Sequence, residues 1–285
     1  METIVNDFTF NIATANGTGS QSSNLILLQS MFQMGVPVSG KNLFPSNISG
    51  LPTWYIIRVS DDGYQAPGDR THIQVLMNKA TWANDIASLE SGTVVIYNSD
   101  VKLPVERDDL ILYPIPMTTI ARGLNPKLAR MIANMVYVGV IAELIGLDGT
   151  ILDRAVNKQF NGKAKAIELN ANAITLGREY IVEHFEQMCP FSLEARERNP
   201  ESFIIEGNEA VALGSLFGGV TMLSWYPITP STSIAEGLIH HLPKLRLDEA
   251  GDLTCAVIQS EDELAAAGMV VGAGWAGGRA MTCTS

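Results

Sequence analysis

Phe8, Phe10 and Ile12 alternate with polar residues in FTFNIAT, the period of two that predicts a strand with one face buried. NGTGSQSS breaks that pattern, and NLILLQSMFQMG then places apolar residues at helical spacing up to Gly35. The order is strand, glycine loop, helix. Further strands are predicted at TWYIIRVS (53–60), HIQVLMN (72–78), GTVVIYN (92–98) and DLILYPI (109–115), with a short helix near TWANDIASL. Strands alternating with helices point to an α/β sheet covered by helices. From Pro126 the pattern turns helical through PKLARMIANMVYVGVIAELIGL, ILDRAVNKQF and KAKAIELNANAITLGREYIVEHF. The greasiest part, Met131 to Leu147, carries Asn134 and Glu143 and is shorter than the roughly 20 apolar residues of a bilayer span, so it reads as a buried helix.

CPFSLEARERNPES, from Cys189 to Ser202, has two prolines, many charges and little apolar content, which places a domain boundary there: one domain over 1–190, another over 201–285. The second domain starts a new α/β pattern. FIIEGNEAVALGSLFGG is a short strand or turn entering a helix, VTMLSWYPITP a strand running into a turn, and STSIAEGLIHHL a helix for which Ser231 or Ser233 is the expected cap. TCAVIQS, EDELAAAGMVVGAGWAGG and RAMTCTS supply strand, helix and strand, and the small residues of the helix allow a neighbouring backbone or a flat ligand to lie close. RAMTCTS reads as a buried strand, and the expectation is a sheet that continues beyond it.

At 285 residues with 46% hydrophobic and 17% charged, the chain has the composition of large cores, which excludes a disordered or coiled-coil protein. Its formal charge of −11 and lack of any lysine- or arginine-rich run count against nucleic acid or an anionic membrane as partner. The amino terminus, METIVNDFTFNIATANG, has no cationic segment before its apolar part and does not read as a secretory signal. Cys189, Cys255 and Cys283 form neither a C-x-x-C pair nor a cluster with histidine, so they suggest a reducing cytoplasm and no zinc, iron–sulfur or disulfide framework of the chain's own.

Two places offer chemistry. The glycine loop, with Gly17 and Gly19, sits where backbone N–H groups and a helix N-terminus meet a phosphate; the third glycine of the dinucleotide fingerprint is missing, and a bare turn fits as well. The second is a set: the proline turn WYPITPSTS, the carboxylates Glu261, Asp262 and Glu263 after the strand AVIQS, and the hydroxyl-ended strand TCTS. All three fall at the carboxyl ends of parallel strands, where open α/β sheets bind ligands. Glu261 to Glu263 also fit a plainer role, supplying negative charge to a helix's first turn. Pro227 and Pro230 end the strand and fix a tight connection. His240 and His241 have no cysteine or carboxylate at ligand spacing and receive a surface or capping role. No G-x-S-x-G or H-E-x-x-H supports a serine hydrolase or a zincin.

EGNEAVALGSLFGG, WYPITPST and QSEDELAAAGMVVGAGWAGGRAMTCTS, in this order and spacing, resemble the pyrimidine-binding domain of the alpha subunit of 2-oxoacid:ferredoxin oxidoreductases. The first domain, with its glycine loop, a strand ending in Arg58–Val59–Ser60 and a helical tail, resembles the gamma domain of the same enzymes, although its loop is less glycine-rich than the family's. A gamma domain fused ahead of an alpha domain is the arrangement of two-subunit enzymes acting on 2-oxoglutarate or a range of 2-oxoacids. The resemblance implies an α/β fold with a gamma-type domain followed by part of a thiamine-diphosphate-binding, parallel-sheet domain. It implies oxidative decarboxylation of a 2-oxoacid, with 2-oxoglutarate favoured, to an acyl-CoA, with coenzyme A as co-substrate and ferredoxin as electron acceptor.

By position in the resemblance, Glu261 is the carboxylate that shares a proton with the aminopyrimidine ring of thiamine diphosphate and so favours the tautomer that takes up the C2 proton. Tyr226, Pro227, Ile228, Thr229 and Pro230 form the turn beside substrate and thiazolium, with Thr229 as the polar contact. No G-D-G motif and no clustered cysteines occur in the chain, so a beta subunit is expected to carry the diphosphate site, its magnesium and the iron–sulfur clusters, in a cytoplasmic dimer of heterodimers. The 285 residues by themselves are expected to be inactive. Two readings compete: a nicotinamide-dependent dehydrogenase of Rossmann type using Gly17 and Gly19, and a non-catalytic assembly subunit.

Overall fold

The computed structural model describes residues 3–45, 50–186, 189–197 and 200–284. They form two compact units, Met1–Ser202 and Phe203–Ser285. In the first unit the elements are β1 (Ile4–Val5), β2 (Asp7–Ala15), α1 (Ser20–Gln33), β3 (Val38–Leu43), β4 (Pro52–Ser60), β5 (Ile73–Leu76), α2 (Trp82–Ala87), β6 (Val94–Asn98), β7 (Ile111–Ile115), α3 (Met117–Leu124), α4 (Ala129–Ile145), α5 (Gly149–Gln159), α6 (Ala164–His184) and β8 (Phe191–Ser192). The main sheet runs β3-β4-β2-β5-β6-β7: β2, β5, β6 and β7 are parallel, while β4 is antiparallel to both β2 and β3. The antiparallel β4 beside β2 departs from the all-parallel start of a dinucleotide-binding fold and counts against the nicotinamide reading.

Strand β2 is buried on both faces. Phe8, Phe10 and Ile12 join α1 and α4 in the large core, while Ala13 joins Leu76, Trp82, Ile86 and Val95 in a second one. Strand β3 was not anticipated from the sequence. VSGKNL is an edge strand paired on one side only, so polar residues are tolerated along it and the period-two signal is lost. The helix expected from Met131 to Leu147 is α4, buried along nearly its whole length. It meets α6 almost backbone to backbone: a Cβ at Gly139 would lie 2.0 Å from the Ile174 carbonyl oxygen, and one at Gly177 would lie 2.2 Å from that of Val136. Small-residue positions on both helices are what allow this approach. Among the described residues no single helix is long and apolar enough to cross a membrane.

The second unit contains α7 (Gly207–Phe217), β9 (Met222–Trp225), α8 (Thr232–Leu245), β10 (Ala256–Gln259), α9 (Glu263–Trp275) and β11 (Ala280–Met281). Its sheet has the order β10-β9-β11, all parallel. Ala212 and Leu216 of α7, Leu223 and Trp225 of β9, and Ala235, Leu238 and Leu242 of α8 form its core. Arg246 closes the far end of α7, donating to the carbonyls of Leu216 at 2.6 Å and Val220 at 3.1 Å.

Three local expectations change here. The stretch FIIE before α7, expected as a short strand or turn, has no regular structure. The TCTS strand pairs with β9 only at Ala280 and Met281; Thr282 to Thr284 lie past the ladder, and Ser285 lies outside the described residues. The glycines of α9 meet no neighbouring backbone: a Cβ at Gly268, Gly272 or Gly274 would touch nothing within 4 Å, and Leu264 and Trp275 of the same helix are 85% and 90% exposed.

Candidate active site

The parallel register of β9, β10 and β11 brings the three sequence features to one edge. β9 ends in buried Leu223, Ser224 and Trp225, after which Tyr226 and Pro227 emerge into solvent and the Thr229–Pro230 peptide bond is cis. β10 ends beside it: the Ser260 backbone N–H donates to the Trp225 carbonyl at 2.8 Å, and the buried hydroxyls of Ser224 and Ser260 lie 2.7 Å apart. Past β11, the buried Cys283 thiol donates to the Ser231 carbonyl at 3.6 Å. Burial pushes this thiol above its ordinary pKa, so it is a packed neutral group and not a nucleophile.

The carboxylates after β10 divide their work. Asp262 is the cap of α9, its Oδ1 accepting the Ala265 N–H at 2.6 Å, and Glu263 lies in the first helical turn, as the plainer role required. Glu261 is different. It is exposed and makes no ion pair or hydrogen bond among the described residues, so its carboxylate is uncommitted at the sheet edge. The hydroxyl of Thr229, also exposed, is likewise without a hydrogen bond among the described residues.

The expected hydroxyl cap of α8 is corrected. Ser231 precedes the helix but makes no cap bond; its hydroxyl donates to the Ile228 carbonyl at 3.0 Å, and the Ser233 hydroxyl donates to the Pro230 carbonyl at 3.0 Å. Both hydroxyls take carbonyls of the proline turn as acceptors instead of the helix's first N–H groups, and the Ile228 carbonyl also receives the Thr232 backbone N–H at 3.1 Å. Sequence reading also missed Asn208, whose Nδ2 donates to the Pro230 carbonyl at 2.9 Å. The GNEA stretch was read only as helix, and nothing in its spacing points to a turn more than twenty residues later. The histidines acquire partners that sequence spacing hid: Glu209 Oε1 lies 2.5 Å from His241 Nε2, and Lys244 Nζ lies 3.0 Å from His240 Nε2.

Gly17 and Gly19 lie in the other unit, in the loop between β2 and α1, both in the left-handed region with φ of 79° and 82°. This loop is held from below. Asn134 of α4 donates from Nδ2 to the Thr18 carbonyl at 2.7 Å, and Thr14 donates its hydroxyl to Ser20 Oγ at 2.9 Å. The first turn of α1 has neither a side-chain cap nor an acidic residue. Beside it opens a cavity of about 640 Å³ lined by residues including Gly19, Ser22, Met131, Met135 and Phe160. Among the described residues no three His, Cys, Asp or Glu side chains converge as metal ligands would.

Residues 9–180 match the family model described as pyruvate ferredoxin/flavodoxin oxidoreductase, and residues 214–285 match the thiamine diphosphate-binding domain of the pyruvate flavodoxin/ferredoxin oxidoreductases. The chain belongs to this oxidoreductase family. Among curated relatives, subunit alpha of 2-oxoacid:ferredoxin oxidoreductase 2 from Aeropyrum pernix is 26% identical over 98% of this chain and 51% of its own length. A 2-oxoglutarate synthase subunit of Methanothermobacter thermautotrophicus is 45% identical over 30% of this chain and 20% of its own length. The solved 2-oxoglutarate:ferredoxin oxidoreductase from Magnetococcus marinus, with 2-oxoglutarate, coenzyme A and succinyl-CoA bound, superposes with a TM-score of 0.82 at 28% identity. It covers 97% of this chain and 47% of that one. The α/β fold with parallel-dominated sheets is thus the family's fold. The chain spans about half the length of the curated relatives it matches in full.

Proposed function

We propose that the chain is the alpha component of a 2-oxoacid:ferredoxin oxidoreductase that oxidatively decarboxylates 2-oxoglutarate to an acyl-CoA and passes the electrons to ferredoxin. Units Met1–Ser202 and Phe203–Ser285 serve in this reading as the gamma-type domain and the pyrimidine-binding part of the alpha domain. The observation that carries it is the juxtaposition at one parallel-sheet edge of the uncommitted Glu261 carboxylate and the Tyr226–Pro230 turn. The choice of 2-oxoglutarate rests on the relatives that act on it.

The residues present fit the aminopyrimidine end of thiamine diphosphate. Glu261 has no cation or hydrogen-bond donor competing for it among the described residues, and the buried Trp225 Nε1, next to Tyr226, has no acceptor there. When bound, the cofactor supplies the electron sink for decarboxylation. Glu261 holds a proton against the pyrimidine ring nitrogen and sets its tautomer. The Thr229 hydroxyl contacts the 2-oxoacid, and Tyr226, Pro227, Ile228 and Pro230 keep it in place. The diphosphate, its magnesium and the iron–sulfur clusters belong in this reading to a beta subunit, with coenzyme A as co-substrate and the whole a cytoplasmic dimer of heterodimers.

The test is reduction of a viologen dye by the complex containing this chain, with 2-oxoglutarate and coenzyme A, with and without thiamine diphosphate. Thiamine-dependent reduction with 2-oxoglutarate preferred over pyruvate is the expected result. Preference for pyruvate would overturn the substrate, and no reduction with any 2-oxoacid by a complex with intact clusters would leave a subunit of assembly only.

A further inference from the structure

The turn from Tyr226 to Pro230 lies past the β9 ladder, and its two prolines donate no backbone hydrogen bond. Its shape is held by groups that reach its carbonyls. Four of them come from the chain's own entry into α8: the Ser231 hydroxyl, the Thr232 N–H and the Thr232 hydroxyl on the Ile228 carbonyl at 3.0, 3.1 and 3.2 Å, and the Ser233 hydroxyl on the Pro230 carbonyl. The fifth comes from elsewhere. Asn208, in the first turn of α7, donates from Nδ2 to the Pro230 carbonyl at 2.9 Å and to Ser233 Oγ at 2.7 Å. A carbonyl only accepts, so the amide NH2 must face it.

Asn208 and its neighbour make separate ties. Glu209 reaches His241 in the middle of α8, passing Gly237 so closely that a Cβ there would lie 2.8 Å from Glu209 Oε2. One residue braces the turn and the next braces the helix, so the two can be cut independently.

We propose that Asn208 is a positioning residue for the 2-oxoacid reaction, fixing the Pro230 carbonyl and through it the Thr229 side chain one residue earlier. This rests on the reading of Tyr226–Pro230 as the turn beside the substrate. Thr229's hydroxyl has no hydrogen bond of its own among the described residues, so the backbone alone places it. Displacing a substrate-contacting group by about 1 Å can lower a rate about a hundredfold.

The experiment compares wild type, Asn208→Ala, Asn208→Asp and Glu209→Ala in the complex containing this chain. Aspartate keeps the size of asparagine but loses the donor to Pro230. Three quantities are read: kcat and KM for 2-oxoglutarate, C2 hydrogen exchange of bound thiamine diphosphate, and amide hydrogen exchange of the segment 225–233. Both Asn208 variants are expected to speed amide exchange across that segment and to lower kcat tenfold to a hundredfold, with C2 exchange unchanged because Glu261 is untouched. Glu209→Ala is expected to leave kcat and the segment's exchange as in wild type. Loss of C2 exchange together with kcat would show general damage to the unit and overturn the proposal. So would wild-type kcat in the Asn208 variants, or unchanged amide exchange. A wild-type complex inert toward every 2-oxoacid would overturn the function itself and the positioning role with it. In that case amide exchange still shows whether Asn208 braces the turn, so the two failures are told apart.

Discussion

The hydroxyls of Ser224 and Ser260 meet 2.7 Å apart beneath the candidate site, each from the end of a parallel strand and each buried. Met269 Sδ of α9 lies 3.2 Å from Ser224 Oγ and 3.6 Å from Ser260 Oγ, so the pair also touches the helix that follows Glu261. Ser224 stands two residues before Tyr226 and Ser260 one before Glu261. The bond therefore joins the two halves of the site at their roots.

Removing either hydroxyl leaves the other with only the weak sulfur acceptor. Ser260→Ala is expected to destabilise the second unit by about 1 kcal/mol. The pair should also couple: in a double-mutant cycle with Ser224→Ala, urea denaturation should give a coupling energy of about 0.5–1.5 kcal/mol. Additive losses would show that the two hydroxyls do not act as a pair.

Glu261 and Asp262 are adjacent carboxylates with opposite expected phenotypes. Glu261→Gln should lower dye reduction by the loaded complex by roughly a hundredfold to ten-thousandfold, the range of a proton-transfer contribution, and leave the denaturation midpoint unchanged. Asp262→Ala should do the reverse, costing about 1 kcal/mol of stability through the lost α9 cap with a much smaller effect on rate. Equal effects on both properties from both variants would mean that the cluster acts only as helix-terminal charge.

How much of this was legible in the sequence depends on how local each signal is. Strand β2, helix α1 and the apolar α4 each carry their period within one stretch, and the order of strands and helices in the second unit followed from Pro227, Pro230 and the flanking periodic segments. Strand β3 was illegible because an edge strand with Gly40 and Lys41 at its centre has no alternation to read. The site edge was legible because parallel topology puts strand ends together without knowledge of any contact. Asn208 and the Glu209–His241 contact were not, since each joins residues more than twenty positions apart. Asn134 was seen only as a polar blemish in a greasy helix; its role, holding the Thr18 carbonyl of the glycine loop, needs the packing of α4 against that loop.

Gly139 sets two effects of opposite sign against each other. Alanine improves helix propensity by about 1 kcal/mol, but its Cβ would fall 2.0 Å from the Ile174 carbonyl oxygen, and α4 and α6 would have to separate. Overpacking of this kind typically costs about 1–3 kcal/mol and more where backbone must move, so Gly139→Ala should destabilise the first unit. Gly123 in α3 has open space around it, and Gly123→Ala should be neutral or stabilising by up to about 1 kcal/mol. Urea midpoints moving in the same direction for both variants would remove close packing as the reason for glycine at 139.

His72 ties stability to pH. Its Nδ1 accepts the Thr9 backbone N–H at 3.0 Å, which only the unprotonated nitrogen can do. Burial, then the charges of Arg70 and Arg58, hold its pKa below the ordinary 6.5, against smaller opposing pulls from Asp7 and Glu90. Because the folded value is the lower one, the unfolded chain binds more protons just below pH 6.5. The stability His72 contributes is therefore complete above about pH 6.5 and declines as pH falls through the lowered folded value. Denaturation midpoints should drop between pH 7.5 and 5 in the wild type. His72→Gln offers an amide oxygen to the same N–H without titrating, so it should flatten that part of the curve. If the two curves run parallel over this range, the acid sensitivity belongs to other groups and His72 is a packed ring with no part in it.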